Sequence, residues 1–367
     1  MRWNWREGTL LLRSSLVATL AAVTTCVIPG VIPGVAAAPA AGTKCAACHT
    51  EQARMQPETP MSHALLTPGA NAMLKGKSKL TYRLGAYSYT IEHGQPVDTY
   101  TVTDGVNRMS LPIRWVFGVN SQTYVLEYQG RMFESLVSYY EPLKALNITI
   151  GDEKIQPKSL VEAMGREISK VEARACFQCH ATKAVSNDEI QTESLVPGVQ
   201  CERCHVGVNA HADAISRGKV ESVPPKLSRL SAEDMSNFCG QCHRSFSDVV
   251  RDRLFGQLNV RFQPYRLANS KCFDGSDARL SCVACHNPHK QLVTDTASYD
   301  ANCQACHQSS TSKPAAGTLA KMSHKSCPVA TSNCVSCHMP KVELPGGHKA
   351  FRDHFIRVVR AGEPYPN

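Results

Sequence analysis

The hydrophobic and polar positions change their period between the two halves of the chain. Over residues 80–140, aromatic and β-branched residues alternate with polar ones, and Gly, Asn and Asp bound the segments. This alternation is typical of antiparallel strands, and we expect about four to six of them. The dipeptide Gln129-Gly130 is typical of a hairpin tip. The sequence therefore predicts a small β-lobe.

The period becomes helical from about Lys158. Short stretches with helical spacing lie within 159–180 and 231–243. Ser231 followed by Asp234 resembles a capping box in which Asp replaces Glu. Residues 218–225 and 309–317 have the composition of linkers. We therefore expect this part of the chain to consist of short helices and loops.

The first 40 residues have the pattern of a signal peptide. Arg2, Arg6 and Arg13 form a basic region, an apolar run follows over 16–28, and small residues near Ala40 offer a cleavage site. The alternative is an uncleaved membrane anchor. No later segment has the roughly 18 apolar residues that crossing a bilayer requires. We therefore expect an exported protein, periplasmic or extracellular at the cell surface, without a transmembrane span in the mature chain.

The cysteines carry the most informative pattern. An exported chain with 17 cysteines is normally a disulfide scaffold, but the spacing here argues against one. The sequence Cys-x-x-Cys-His occurs seven times, and each motif is named below by its first cysteine. The thiols are those of Cys45, Cys48, Cys176, Cys179, Cys201, Cys204, Cys239, Cys242, Cys282, Cys285, Cys303, Cys306, Cys334 and Cys337. The histidines that complete the motifs are His49, His180, His205, His243, His286, His307 and His338.

This motif is the attachment site of c-type haem. On a helical turn, the two cysteines share a face, so both thiols can meet the two vinyl groups of one porphyrin. The histidine that follows can place its imidazole under the iron. A zinc site or a redox disulfide would not require a histidine after every second cysteine. The sequence therefore predicts seven covalent haems c.

Charge changes this picture little. The formal net charge is +9, and the cations are scattered along an exported chain, which argues against a nucleic-acid-binding protein. Lys and Arg in excess are what buried haem propionates would require. The predicted partners are redox proteins, either other cytochromes or quinol-linked complexes. Self-association into an oligomer or a filament is a further expectation.

The spacing of the motifs predicts the organisation of the chain. The intervals after Cys176 leave room for one or two short helices per haem, so haem must fill much of the core. The predicted fold class is mainly α and loop-rich, with an inserted small antiparallel β-lobe. The predicted segments are a signal peptide over 1–40, a single-haem segment over 41–79, the β-lobe without haem over 80–157 and a hexahaem domain over 158–367.

Seven histidines lie outside the motifs and are candidates for the second axial ligand of each iron. His211 and His289 follow motif histidines closely, where a turn can reach a neighbouring haem. For His63, the thioether of Met61 is a rival ligand, and for His93, in the β-lobe, an ordinary hydrogen-bonded histidine is the alternative. The complete set is His63, His93, His211, His289, His324, His348 and His354.

Two cysteines remain once Cys26 leaves with the signal peptide. A disulfide between Cys272 and Cys327 would close a loop that holds the motifs at Cys282 and Cys303. Such a bridge would stabilise the protein by about 2–4 kcal/mol in the usual model. The alternative is two buried free thiols.

Several segments resemble a known family. They are VQCERCHVGVNAH, RFQPYRLANSKCF, SCVACHNPHK, CHMPK and HKAFRDHFI, and they lie within about 176–356. They are similar to multihaem cytochromes of the superfamily that includes the hydroxylamine oxidoreductases and their tetrahaem acceptor cytochrome. The resemblance implies distal ligands at His211 and His289, and it favours pairing Cys272 with Cys327.

The chain also departs from that superfamily's enzymes. No Cys-x-x-Cys-Lys motif occurs, so the lysine-ligated haem of pentahaem nitrite reductases is absent, and the octahaem count of hydroxylamine oxidoreductases is not met. The leading hypothesis is therefore an electron-transfer conduit with mostly bis-histidine haems, a carrier rather than a catalyst. One alternative is an oxidoreductase for a small nitrogen or sulfur species at a five-coordinate haem. The other is a filament-forming extracellular cytochrome.

Overall fold

The computed structural model describes residues 43–366, except 72–73, 75, 78, 95–96, 220–222 and 308–326. The signal peptide expected over 1–40 and the candidate ligand His324 lie outside the described residues.

Ten strands form one antiparallel sheet. Its main path runs β10-β7-β6-β5-β4-β3-β2, while β1 pairs with β5, β8 pairs with β6, and β9 pairs with β8. The strands are β1 (Leu65–Leu66), β2 (Lys79–Leu84), β3 (Tyr87–Glu92), β4 (Thr99–Thr103), β5 (Arg108–Phe117), β6 (Ser121–Tyr128), β7 (Arg131–Ser135), β8 (Val137–Tyr140), β9 (Ala145–Ile148) and β10 (Gly165–Glu167).

The expectation of a mainly α fold is wrong. The sheet also contains β1, β9 and β10, which are short segments outside the region of clear alternation. It is the largest element of the described chain. The reason is that a strand of two to four residues leaves no measurable period in the sequence. Long-range pairing, such as Leu65 with Phe117 and Gly165 with Ser135, defines these strands instead.

The predicted hairpin tip is confirmed. Tyr128 pairs with Arg131, and Gln129 and Gly130 between them have φ values of 52° and 72°. Two consecutive residues with positive φ are typical of a type I′ turn, which matches the twist of the strands that it joins.

The helices are short. They are α1 (Thr43–Ala46), α2 (Thr50–Met55), α3 (Leu160–Met164), α4 (Lys170–His180), α5 (Cys201–Cys204), α6 (Val208–Ser216), α7 (Ala232–His243), α8 (Phe246–Arg251), α9 (Gln263–Ala268), α10 (Cys282–Cys285), α11 (Asp300–His307) and α12 (Cys334–His338). Short 3-10 helices cover Gln56–Glu58, Pro68–Ala70, Leu227–Arg229, Gln257–Arg261, Ala278–Leu280 and Ala297–Tyr299. None of the helices in the described part of the chain is long and apolar enough to cross a bilayer.

Three two-stranded ribbons complete the fold. They pair β11 (Ala181–Thr182) with β14 (Val196–Pro197), β12 (Val185–Ser186) with β13 (Glu189–Ile190), and β15 (Lys341–Leu344) with β16 (Lys349–Arg352).

The expected cap at Ser231 is present in altered form. The Ser231 hydroxyl accepts the Asp234 N–H at 3.0 Å, while the Asp234 carboxylate accepts the same hydroxyl at 2.7 Å. Complete capping boxes start α4, with Ser169 and Glu172, and α8, with Ser245 and Asp248.

The apolar core lies mainly in and beside the sheet. One cluster includes Tyr89, Tyr100 and Tyr124, and a second joins the sheet to α4. In the second cluster, Trp115 of β5 packs edge-on against Phe177 of α4, with ring centroids 5.5 Å apart. Because α4 ends at His180, this packing fixes one motif against the sheet.

Candidate haem-binding sites

All seven motifs begin in a helix. The helices concerned are α1, α4, α5, α7, α10, α11 and α12. The backbone N–H groups of His49, His205 and His286 donate to the carbonyl of the first cysteine of their motif, at 2.8, 2.8 and 2.9 Å. These bonds close an α-helical turn, which places both thiols on the face that the sequence predicts.

The motifs lie next to one another in space. Thiols of different motifs approach within hydrogen-bonding reach in four places, which are Cys45 with Cys201, Cys179 with Cys242, Cys239 with Cys282, and Cys303 with Cys334. Cys204 also lies near enough to Cys242, and Cys285 near enough to Cys303, for each pair to interact electrostatically. The motifs therefore form one continuous series in the order Cys45, Cys201, Cys239, Cys282, Cys303 and Cys334. The Cys176 motif branches from the Cys239 motif.

Two pairs of histidines face each other at a distance that suits a shared iron. The ring centroids of His205 and His289 are 5.9 Å apart, and those of His286 and His354 are 6.2 Å apart. Metal–imidazole bonds of about 2 Å, with about 1 Å more to each ring centre, give roughly 6 Å between two axial rings. Each pair combines a motif histidine with a histidine outside the motifs.

Hydrogen bonds fix which ring nitrogen is available in three histidines. The Nδ1 atom lies 2.9 Å from the Ala64 carbonyl in His180, 2.9 Å from the Arg357 carbonyl in His338 and 3.1 Å from the Arg352 carbonyl in His354. A carbonyl can only accept, so Nδ1 carries the proton and Nε2 is left for a metal. This is the usual support of a metal-binding histidine.

The protonation of His354 also suits ligation. Burial is the main cause that lowers the pKa of its ring, to about 4, and the nearby rings of His286 and His243 add to the effect. The ring is therefore neutral at physiological pH. Neutral imidazole is the form that binds iron.

The other candidate ligands are placed differently. Exposed His63 lies on the turn after Met61, whose carbonyl accepts the Val199 N–H at 2.9 Å. His211 lies half-buried on α6. The Nδ1 atom of His93 lies 2.7 Å from Asp98 Oδ1, and the His348 ring packs edge-on against Tyr140 at 4.8 Å. His93 therefore lies within the β-lobe, whereas His348 packs against that lobe from the turn between β15 and β16.

The distribution of apolar residues fits a core that is filled by haem. After residue 200, the described chain has one small apolar cluster, formed by Val249, Phe262 and Tyr265. Most of the exposed large apolar side chains lie in this same part, and a bound porphyrin would cover such surface. They are Val206, Val223, Phe246, Val250, Phe255, Leu258, Val283, Leu292, Val293, Val329 and Val358.

The expected disulfide between Cys272 and Cys327 is absent. Both are free thiols: Cys272 is half-buried and lies beside Cys306, whereas Cys327 is exposed. The N–H groups of Ala330 and Val329 approach the Cys327 sulfur and lower its pKa. The two cysteines therefore occupy separate environments, which neither their compartment nor their sequence spacing reveals.

A buried ion pair that the sequence did not reveal lies beside His354. Arg266 and Asp353 are both fully buried and are joined by two hydrogen bonds of 2.8 Å. The sequence contained two signals, an arginine within the segment RFQPYRLANSKCF and the order Asp353-His354. Neither one identifies the other as its partner.

Comparisons with known proteins point to the multihaem cytochromes. A family model described as cytochrome c554 and c-prime matches residues 145–206, which include the motifs at Cys176 and Cys201. The multiheme cytochrome MtrA of Shewanella baltica (strain OS185) is 24% identical over 206 residues, which cover 52% of this chain and 54% of the relative. The chain is a multihaem c-type cytochrome. Its cofactor is haem c.

The similarity to the curated relative covers part of each protein. The cytochrome spans about half the length of the curated relative that it matches. No solved structure matches it significantly.

Proposed function

We propose that this cytochrome is an exported electron-transfer conduit that holds seven haems c, one on each motif. The observation that carries the proposal is the continuous series of motif contacts from Cys45 to Cys334. A protein that only stored haem, or that used one haem for chemistry, would not need every motif to lie close to another.

The chain's own residues give each part of this function a physical basis. When bound, haem c supplies an iron that takes up and gives back an electron. The paired thiols attach the group at two points, and the helical turn fixes its orientation relative to the next motif. Contacts such as Cys239 with Cys282 keep neighbouring groups close, which is what rapid transfer between them requires.

The histidine pairs support a carrier rather than a catalyst. We infer that His289 is the distal ligand opposite His205 and that His354 is the distal ligand opposite His286. An iron with two imidazole ligands has no open position for a substrate. The remaining histidines outside the motifs are the proposed distal ligands of the other haems, and redox proteins are the proposed partners.

Spectroscopy on the purified holoprotein tests this function. Haem quantification should give seven per chain, and low-temperature EPR of the oxidised protein should show low-spin iron throughout. A high-spin ferric signal that shifts on addition of nitrite or hydroxylamine would overturn the carrier in favour of an enzyme. Markedly fewer haems would overturn the assignment of the motifs.

Paired motif deletions test the conduit itself. Replacing Cys239 and Cys242 by Ala removes the motif that contacts three others and should slow electron equilibration across the protein after photoreduction. Replacing Cys334 and Cys337 by Ala removes a motif at the end of the series and serves as the matched control. Both variants should lose a single haem, and equal rates in the two would contradict the proposed series.

A further inference from the structure

Arg266 on α9 has no exposed surface, and its side chain donates hydrogen bonds to Asp353, to Pro366 near the end of the chain and to nearby Asn259. Its Nε and Nη2 atoms donate to Asp353 Oδ1 and Oδ2, each at 2.8 Å. Its Nη1 atom donates to the Pro366 carbonyl at 2.7 Å and to Asn259 Oδ1 at 3.3 Å. This bidentate geometry holds the carboxylate of Asp353 in one orientation.

Aromatic rings enclose the guanidinium. The Tyr365 ring lies 4.6 Å from its central carbon and the Phe355 ring 5.3 Å. The Tyr365 hydroxyl donates to Asn259 Oδ1 at 2.6 Å, which anchors the ring. The arginine is therefore cut off from water, each of its guanidinium nitrogens donates at least one hydrogen bond, and it cannot move away without breaking several contacts at once.

The carboxylate of Asp353 also fixes the backbone and side chains of the residues that follow it. Its Oδ1 atom accepts the Phe355 N–H at 3.0 Å, so the backbone turns tightly around His354. Its Oδ2 atom accepts Arg357 Nη1 at 2.7 Å. On the far side of the turn, the Ser270 hydroxyl donates to the His354 carbonyl at 3.3 Å. The backbone of His354 is thus held from both sides.

The same network reaches a second histidine. The Arg357 carbonyl lies 2.9 Å from His338 Nδ1, and the Arg357 N–H donates to the His338 carbonyl at 3.2 Å. The Asp353 N–H donates to the Pro340 carbonyl at 2.9 Å. One buried arginine is therefore linked, through Asp353 and Arg357, to the motif histidine of the Cys334 motif as well as to His354.

A buried ion pair is a costly way to gain stability. Well-packed apolar residues often do equally well or better, whereas an ion pair fixes direction. We propose that Arg266 is a positioning residue that holds two axial histidines, His354 and His338, in the orientation for ligation. The proposal rests on the assignment of His354 as the distal ligand opposite His286.

The test uses the full-length holoprotein and two conservative variants. Arg266→Lys keeps the positive charge but cannot donate two parallel hydrogen bonds to Asp353. Asp353→Asn keeps the shape of the side chain but loses its negative charge. Both should retain the full haem count, gain a high-spin ferric EPR signal and bind CO when reduced. Imidazole added to the oxidised variant should restore the low-spin spectrum. Arg131→Lys, which alters the exposed pair with Glu167 on the sheet, is the matched control and should show none of these changes.

The variant His354→Ala separates the two levels of the proposal. If His354→Ala leaves every haem low-spin, then His354 is not a ligand and the proposed pairing fails. If His354→Ala opens a haem but Arg266→Lys and Asp353→Asn only lower the melting temperature, then the ion pair is merely structural and the positioning role is overturned. Should either variant fail to accumulate, Arg357→Lys weakens the same network at its less buried member, and an unchanged low-spin spectrum there has the same meaning.

Discussion

The imidazole rings of His205 and His289 are almost parallel, with 9° between their planes and 5.9 Å between their centroids. His289 lies three residues after His286, whose own ring faces His354. One short turn, held by a bond of 2.9 Å from the His289 N–H to Asn287 Oδ1, thus directs two imidazoles at two different sites. This arrangement ties the Cys282 motif to the Cys201 motif.

The first prediction concerns that turn. His289→Ala should convert a single haem from low-spin to high-spin without changing the haem count, because on the proposed pairing His289 would be the second ligand of the iron that His205 would hold. EPR of the oxidised protein and CO binding to the reduced protein measure the change. Lys290→Ala, which removes only a surface contact with Glu51, is the control. A His289→Ala protein that remains entirely low-spin would rule out this pairing.

The second prediction concerns the close approach of two backbone segments at Gly198. This residue has a φ of 73°, and a Cβ atom there would lie 1.8 Å from the Ser62 carbonyl oxygen. Gly198→Ala should therefore destabilise the protein by the backbone strain of about 1–3 kcal/mol and by a steric clash in addition. Denaturant unfolding followed by far-UV circular dichroism measures the change.

Gly207 provides the matched control for Gly198. It has a similar φ of 82°, and nothing lies within 4 Å of its Cβ position. Gly207→Ala should therefore lower the free energy of unfolding by the backbone strain alone. Equal losses in the two variants would show that the contact between residue 198 and Ser62 does not matter.

The third prediction concerns the pH dependence of the α4 capping box. Burial raises the pKa of Glu172, but bonds from the Ser169 N–H and hydroxyl and from the Arg166 guanidinium outweigh it, so the pKa is lowered. A carboxyl whose pKa is depressed by folding contributes stability above its unfolded value of about 4.3. That contribution is lost as the pH falls through the folded value.

The variant Glu172→Gln measures this contribution. Gln can still cap the helix but carries no charge, so the variant should be less stable than the wild type at neutral pH. Because the carboxylate is largely exposed, we expect a difference of no more than about 1 kcal/mol. The difference should vanish below the folded pKa. A difference that stays constant down to strongly acidic pH would contradict the role of the charge.

The fourth prediction concerns the two free thiols. In native protein without reductant, iodoacetamide should alkylate exposed Cys327 quickly, because its lowered pKa favours the thiolate, and should spare Cys272, whose pKa burial raises. Peptide mass analysis reports both sites. A disulfide would protect both cysteines until reduction, and that result would contradict the structure.

Local sequence signals predicted the local features correctly. Gln129-Gly130 specifies a tight turn through its φ preferences, and the alternation around it specifies strands. The cap at Ser231 was predicted because it depends on residues three positions apart. Each of these features arises from contacts between chain neighbours, so a short window of sequence contains the necessary information.

The features that failed or were missed depend on distant residues. The sheet is larger than the sequence predicted because β1 and β10 are defined only by their partners on β5 and β7. The sequence could name His289 and His354 as ligand candidates, but not which motif histidine each one faces. Arg266 and Asp353 are similarly far apart in the chain, and only folding reveals that they form a buried pair.

The sequence by itself determined the chemistry of this protein, because two thiols and an imidazole at Cys-x-x-Cys-His spacing share one helical turn wherever they occur. The tertiary structure decided the order of the motifs in space, which histidine rings lie near each other, and the different environments of Cys272 and Cys327. The physical reason is the distance along the chain over which the determining contacts act. Attachment of a haem depends on a single turn of backbone, whereas the proximity of one motif to another depends on how the whole chain packs.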